Sequence, residues 1–162
     1  MAIWQYTLLI IPKAHFEDAY PAFMNQPVTQ YRKDIFYFWT DFKADVFKIA
    51  DKIDGIIPRA SWSSEKHLSW KKDGQLNDND CSIFTNNLEV TNFSIRIDLR
   101  NRENILKIIK TVIEICDEND LMLMNLKYEA FEANSKNILE DISKSNANIF
   151  LTNPIKFLES LK

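Results

Sequence analysis

His67 is the side chain of this sequence best placed for acid–base chemistry. It is one of two histidines, it follows Glu65 by two positions, and it lies between Trp62 and Trp70 along the chain. An imidazole ring that is oriented by a carboxylate can act as a general base near neutral pH. Glu65 or Asp80 would supply that carboxylate in an enzyme whose site is assembled from distant residues. The alternative interpretation is a surface histidine at the edge of a strand.

Three charged side chains alternate along one predicted strand, in the order Arg96, Asp98, Arg100. Alternate residues of a strand point to the same face and follow each other at about 7 Å. A guanidinium group binds carboxylates and phosphates through two parallel hydrogen bonds, so the row predicts a surface that holds an anionic partner. The alternative is a set of salt bridges between neighbouring strands, which the position of Asp98 between two arginines also fits.

The segment 77–80 combines asparagine and aspartate oxygens that a cation can use. A helix-loop-helix calcium site needs a glycine at the sixth loop position and a glutamate at the twelfth. Counted from Asp78, those positions hold Ile83 and Glu89, so the glycine is missing. We therefore expect an exposed polar connection and no metal site, with Asp78 and Asp80 available to a partner.

Trp62 and Trp70 flank the start of a predicted run of strands. Tryptophan is enriched among the residues that dominate the binding energy of protein interfaces, and it is also a large core residue. Both side chains therefore belong either to a partner-binding surface or to the core. The candidate partner-binding residues are Trp62, His67, Trp70, Asp78, Asp80, Arg96, Asp98 and Arg100.

The scarcity of glycine excludes several kinds of active site. Only Gly55 and Gly74 occur in the chain. Phosphate-binding loops and nucleophile elbows need glycine where the backbone takes a positive φ or approaches a ligand closely. These two are not spaced for either device, and the serines at 61, 63 and 64 lack the flanking glycines of a hydrolase nucleophile. We expect no cofactor, no metal and no catalytic residue.

The composition is typical of one soluble domain that spans residues 1–162. The hydrophobic fraction of 46% is ordinary for a globular protein. The net charge is −3, so the chain lacks the excess of basic residues that is typical of a nucleic-acid-binding protein. No stretch approaches the roughly 20 apolar residues that span a bilayer, and the first residues lack the basic part of a signal peptide. We expect a cytoplasmic protein without membrane contact, in which Cys81 and Cys116 are free, buried thiols.

Strands and helices must position the candidate residues. Apolar and alternating runs predict strands at 3–11, 68–72, 81–85, 88–100 and 121–126. The first strand is apolar on both faces and is therefore expected inside the sheet, and residues 127–134 are expected to form a loop. Helical periodicity predicts main helices at 41–54 and 102–119, and short C-terminal helices at 136–143 and 153–161. Residues 12–34 are expected to form an irregular arm with one helical turn near 15–20, and 35–39 a short strand or the lead-in to the next helix. The pattern predicts an α+β fold: an antiparallel sheet of five or six strands, with the two main helices on one face.

Finer predictions concern helix ends, turns and side-chain direction. Gly55 is expected to terminate the first main helix, Asn101 to cap the second, and Asn86-Asn87 to form a hairpin turn. Asp73-Gly74 is a further turn signal. In the helix at 136–143, the side chains expected to point inward are Ile138, Leu139 and Ile142.

Several short segments, taken in order, resemble one group of proteins. They are Ile11-Pro12-Lys13 at the end of the first strand, Trp62, Trp70, Asn79-Asp80, the run RIDLR at 96–100 and the tail at 145–161. This order resembles a loose group of short bacterial proteins of unknown function. Some members are encoded beside polymorphic or contact-dependent toxins and are taken to be immunity proteins. The resemblance implies stoichiometric binding of a cognate toxin and assigns no catalytic residue.

The function expected from the sequence is binding of a protein partner by a non-enzymatic protein, in particular neutralisation of a bacterial toxin. The alternative is an enzyme or a small-molecule-binding module whose site is assembled from distant residues. The Arg96 and Arg100 face is the candidate small-molecule surface.

Overall fold

The computed structural model describes residues 2–19, 37–72 and 77–159. Most of the predicted arm at 12–34 and the predicted turn at Asp73-Gly74 lie outside these ranges. The strands are β1 (Gln5–Pro12), β2 (His67–Lys71), β3 (Asp80–Asn86), β4 (Glu89–Asp98), β5 (Leu121–Met124) and β6 (Ala130–Phe131). The helices are α1 (Lys13–Ala19), α2 (Val46–Asp54), α3 (Arg102–Asn119), α4 (Ser135–Lys144), α5 (Asn146–Thr152) and α6 (Pro154–Glu159), with a 3-10 turn at Tyr37–Trp39.

The six strands form one sheet in the order β2-β3-β4-β1-β5-β6, and every pairing is antiparallel. The predicted α+β class and strand number are confirmed. β1 lies inside the sheet because its side chains are apolar on both faces: Leu8 and Ile10 face one side, and Ile11 faces the other. β6 was predicted as part of a loop, since two residues are too few to show an alternating pattern.

One face of the sheet carries the main core. The helices α2, α3 and α4 cover that face, as the two predicted main helices were expected to. Core side chains from the sheet and from these helices include Leu8, Ile83, Ile95, Ile97, Ile49, Val112 and Ile138. On the opposite face a smaller cluster joins β1 and β5 to α1 and the 3-10 turn, through Ile11, Phe16, Phe38, Met122 and Met124.

Helix caps explain where the structure differs from the predicted helix bounds. The side chain of Asp45 accepts a hydrogen bond from the backbone N–H of Lys48 at 3.1 Å, so α2 begins after Asp45 and not at residue 41. Asn101 caps α3 as predicted. The prediction missed α5, which starts because the Ser145 side chain accepts a hydrogen bond from the backbone N–H of Asn148.

Gly55 terminates α2 as predicted, but with φ −71° and ψ −14°, a right-handed conformation that does not need glycine. Two other local predictions were wrong in detail. The residues with positive φ in the β3–β4 hairpin are Asn87 and Leu88, one position after the predicted Asn86-Asn87. Leu139 is 47% exposed, because Ile138 and Ile142 share the inward face of α4 and residue 139 lies about 100° away from Ile138.

Cys81 and Cys116 are free and buried, as predicted. Burial raises the pKa of both thiols, so the reactive thiolate is disfavoured. We expect a disulfide reagent such as DTNB to label neither thiol in the folded protein and both in denaturant, as followed by release of the coloured thiolate. Rapid labelling of the folded protein would contradict the burial of these side chains.

Candidate functional site

The side of the sheet away from the main core carries three rows of side chains across β2, β3 and β4. We call this side the polar face. The pairing register defines the rows as Lys71, Asp80 and Arg96, then Ser69, Ser82 and Ser94, then His67, Phe84 and Asn92. Five of the eight candidate residues belong to these rows or lie two residues from a row member along the chain. They are His67, Asp78, Asp80, Arg96 and Asp98.

Asp80 is the centre of a salt-bridge network in the first row. The Nε of Arg96 donates to Asp80 Oδ1 at 2.5 Å, and the Lys71 ammonium lies 3.6 Å from Asp80 Oδ2 and 2.6 Å from Asp78 Oδ1. The hydrogen bond to Asp78 raises the pKa of Lys71. Gln5 on β1 adds a hydrogen bond from its Nε2 to the carbonyl oxygen of Asp78 at 2.6 Å. Arg96 therefore forms a salt bridge between neighbouring strands, which is the second of the two interpretations of the arginine row.

Asp98 forms a second charge pair at the end of β4, in which the carboxylate is fully buried and the Arg100 side chain is 25% exposed. The Asp98 side chain is 0% exposed, and the Arg100 guanidinium donates to it through Nε at 2.8 Å and Nη2 at 2.5 Å. The backbone N–H groups of Asp78 and Arg100 also donate to this carboxylate, at 2.9 and 3.0 Å. The guanidinium lies over the ring of Trp4, 4.3 Å from its centroid. Arg100 lies two residues beyond Asp98, where β4 ends, and its side chain turns back to Asp98 and does not extend the row.

The connection at 77–80 is not the exposed loop that the sequence predicts. Asn79 is 2% exposed and Asp80 is 7% exposed. The backbone N–H of Asp98 donates to Asn79 Oδ1 at 2.7 Å, which holds the connection against the end of β4. Asp78 and Asp80 therefore bind neighbouring strands of their own chain.

His67 contacts two serines and a phenylalanine, and neither predicted carboxylate is among its hydrogen-bond partners. Its Nε2 lies 3.0 Å from Ser69 Oγ and 3.3 Å from Ser82 Oγ. The imidazole stacks on Phe84 with a centroid distance of 4.0 Å and an interplanar angle of 9°. A serine hydroxyl beside an imidazole is a pair of nucleophile and base, which is one part of a hydrolase active site. Ser82 lies on a strand paired on both sides, where backbone N–H groups are engaged in the sheet and not free to stabilise an oxyanion.

The two candidate tryptophans have different environments. Trp70 is 1% exposed, its Nε1 donates to Asp54 Oδ1 at 2.6 Å, and the Arg59 guanidinium lies 5.1 Å from its ring centroid. Trp70 is therefore a core residue. Trp62 is 56% exposed, at a turn in which the N–H of Ser63 donates to the carbonyl oxygen of Ala60 at 3.0 Å.

Trp62, Phe84 and Leu88 are exposed where β2 begins and β3 ends. We call these three residues the apolar end of the sheet. Their exposed fractions are 56%, 42% and 55%. Ser64 bridges to His67, His67 pairs with Phe84, and the β3–β4 hairpin that carries Leu88 follows directly. Phe84 and Leu88 were not predicted as site residues, because strand register and the hairpin, and no local pattern, place them at this end of the sheet.

Within the described ranges, no group of three or more His, Cys, Asp or Glu side chains is arranged to hold a metal ion. No helix of those ranges combines the length and the apolar character needed to cross a membrane. In comparisons with known proteins, the chain matches no family model, no curated protein and no solved structure.

Proposed function

We propose that this chain is a non-enzymatic protein-binding protein, an immunity protein that neutralises a cognate bacterial toxin by binding it one to one in the cytoplasm. The observation that carries the proposal is the exposed Trp62 at the apolar end. Interfaces depend on a few aromatic anchors surrounded by polar residues that exclude water. Trp62, Phe84 and Leu88 supply such anchors, and the exposed Glu65, Lys66 and Glu89 supply a polar rim.

The pairing of the charged candidates supports a structural role for them. Asp80 is bound to Arg96, and Asp98 is bound to Arg100. An arginine that already pairs with a carboxylate has part of its charge and hydrogen-bonding capacity engaged, which weakens its binding of a further anion. The partner surface that we propose is therefore the apolar end, and the arginine row stabilises the sheet beside it.

An enzyme is the second candidate function, and the contact between His67 and two serine hydroxyls is the observation that favours it. A fluorophosphonate probe reacts with activated serine nucleophiles and would label Ser69 or Ser82 if His67 activated either one. Labelling that is lost in Ser82→Ala or Ser69→Ala and in His67→Ala would favour the enzyme. Absence of labelling under conditions that label a control hydrolase would favour the binding protein.

The Trp62→Ala variant tests the proposed function. We expect tagged wild-type protein to capture one stoichiometric partner from lysate of the source cells, and the purified pair to form a 1:1 complex. Trp62→Ala should weaken that complex by at least about 30-fold, since truncation of an aromatic anchor costs roughly 2 kcal/mol or more. Its thermal midpoint should stay within about 2 °C of wild type, because the side chain is exposed.

Phe47→Ala is the matched control, because Phe47 is 66% exposed on α2, outside the apolar end. It should leave the affinity unchanged. Equal binding by the wild type and Trp62→Ala would overturn the assignment of the interface. A partner whose toxicity in cells is not suppressed by coexpression of this chain would overturn the immunity function.

A further inference from the structure

A cavity of about 230 Å³ lies between the start of β1, the β5–β6 connection and the junction of α4 with α5. Most of the lining surface is apolar, with contributions from Ile3, Leu126, Ala147 and Phe157, although polar residues also line the cavity. Ala147 and Phe157 are buried, whereas Leu126 is half exposed, so the cavity has a buried part and an open mouth. Pockets of this kind, apolar with a few converging polar groups, are typical binding sites for small molecules.

Asp141 and Tyr6 are two of the polar residues that line the cavity, together with others such as Thr7, Asn125 and Ser145. The Tyr6 hydroxyl donates to Asp141 Oδ2 at 2.6 Å, and Asn125 Nδ2 donates to Asp141 Oδ1 at 2.7 Å. Both neighbours are donors, which is the arrangement that an ionised carboxylate requires. Each carboxylate oxygen accepts more than one hydrogen bond, so Asp141 retains acceptor capacity for a further donor.

The neighbours of Asp141 hold it in one position. Asn125 is 5% exposed, and its Oδ1 accepts hydrogen bonds from the backbone N–H groups of Lys127 and Glu129. Tyr6 is 3% exposed. Its pKa lies well above the ordinary value because of burial and because of the hydrogen bond to Asp141, so the phenol stays protonated and donates. A carboxylate held by fixed donors needs little reorganisation to bind a ligand.

We propose that this cavity binds a small primary amine with an apolar body, whose ammonium group donates to Asp141. The apolar lining fits a hydrocarbon or aromatic body, and the volume fits a molecule of about ten non-hydrogen atoms. The remaining acceptor capacity at Asp141 calls for a donor, and a cation makes the stronger hydrogen bond to a carboxylate.

Two lysines also line the cavity, Lys127 and Lys144. The ammonium of Lys144 is 2.7 Å from Glu140 Oε1, and that ion pair offsets its charge. Lys127 is exposed, so solvent screens its charge. These lysines would instead favour a ligand of opposite charge, an apolar carboxylate. The experiment below distinguishes binding of the carboxylate from binding of the amine.

The probe is 2-phenylethylamine, measured by calorimetry and by amide shifts in NMR spectra of the full chain. The matched ligands are 2-phenylethanol, which is neutral, and phenylacetate, which is anionic. We expect the amine to bind with a dissociation constant of about 1 mM or lower, and at least about tenfold more tightly than either matched ligand. Equal binding of the amine and the alcohol, or preferred binding of phenylacetate, would overturn the proposal. So would the absence of any amine binding at a concentration of about 10 mM.

Variants of Asp141 test the role of its charge. Asp141→Asn should weaken amine binding by about tenfold or more, whereas Asp141→Glu, which keeps the charge, should recover part of the affinity. Tyr6→Phe removes one donor from the carboxylate and should leave amine binding within about threefold of wild type. Asp117→Asn, an exposed position on α3 outside the cavity lining, is the control for the loss of one negative charge.

Circular dichroism must show each variant to be folded, and the comparison of the amine with its two matched ligands on the wild-type protein keeps the test decisive if Asp141→Asn does not fold. Unchanged amine affinity in a folded Asp141→Asn protein would overturn the proposal. The inference is independent of the proposed toxin binding, because the cavity shares no residue with the apolar end.

Discussion

Replacement of Asp98 by alanine is expected to lower the free energy of unfolding by about 3 kcal/mol, because it removes a fully buried carboxylate that accepts hydrogen bonds from Arg100 and from two backbone N–H groups. The variant leaves the Arg100 guanidinium and two backbone N–H groups, those of Asp78 and Arg100, without their acceptor. Buried donors that lose their partner carry the full penalty of desolvation. Urea unfolding at neutral pH, followed by tryptophan fluorescence, measures the effect.

The control for Asp98 is the exposed pair of Glu140 and Lys144 on α4, which lie four residues apart. Glu140→Gln should leave the unfolding midpoint nearly unchanged, because solvent screens an exposed ion pair. If Asp98→Ala proves as mild as Glu140→Gln, then the buried network at the end of β4 does not stabilise the fold.

The stabilisation from Asp98 should depend on pH. Burial acts to raise its pKa, but hydrogen bonds from Arg100 and from the backbone N–H of Asp78 outweigh that effect and hold the pKa below its ordinary value. A carboxyl group whose pKa is lower in the folded state stabilises the fold above its unfolded pKa of about 4 and loses that contribution as the pH falls through the folded pKa. The stability difference between wild type and Asp98→Asn should therefore shrink below about pH 4, as measured by urea titrations at a series of pH values. A difference that stays constant down to the acid limit of folding would contradict the charged state of Asp98.

Replacement of Ile138 by alanine is expected to lower the free energy of unfolding by about 3 to 4 kcal/mol. Ile138 is 0% exposed and belongs to the main core, so its truncation removes buried apolar surface and leaves a cavity. The neighbouring Leu139 is 47% exposed, and Leu139→Ala should change the free energy of unfolding by less than about 0.5 kcal/mol.

The two substitutions form a matched pair, because they remove side chains of nearly the same size from adjacent positions of one helix. Urea unfolding of both variants under the same conditions gives the comparison. Equal losses of stability would mean that α4 is rotated about its axis relative to the position described above, or that a further surface covers Leu139.

Local patterns were sufficient for most of the architecture. The bounds of α3 were predicted residue for residue, because its apolar stripe repeats with helical period and Asn101 marks its start. β1 was predicted inside the sheet from its apolar side chains alone. The prediction failed for short elements such as β6 and α5, whose few residues carry too little periodicity to be distinguished from a loop.

The candidate site was predicted less well, because its members interact across distances that are long in sequence. Arg96 was expected to hold a partner or to form a salt bridge, and only the register of β3 against β4 brings it to Asp80. The serines that surround His67 carry no local signal, since serine is common on exposed strand faces. Asp141 was not singled out, because its partner Tyr6 lies 135 positions away along the chain.

The sequence by itself determined the α+β class, the single antiparallel sheet, the helix that follows β4 and the two free thiols. These properties follow from side-chain periodicity and composition, which are local. Only the tertiary structure decided that Trp70 is buried while Trp62 is exposed, that Asp98 is enclosed, and that Asp141 meets Tyr6 at a cavity. The physical reason is that burial and charge pairing depend on which distant segments pack together, and strand register and helix packing set those contacts.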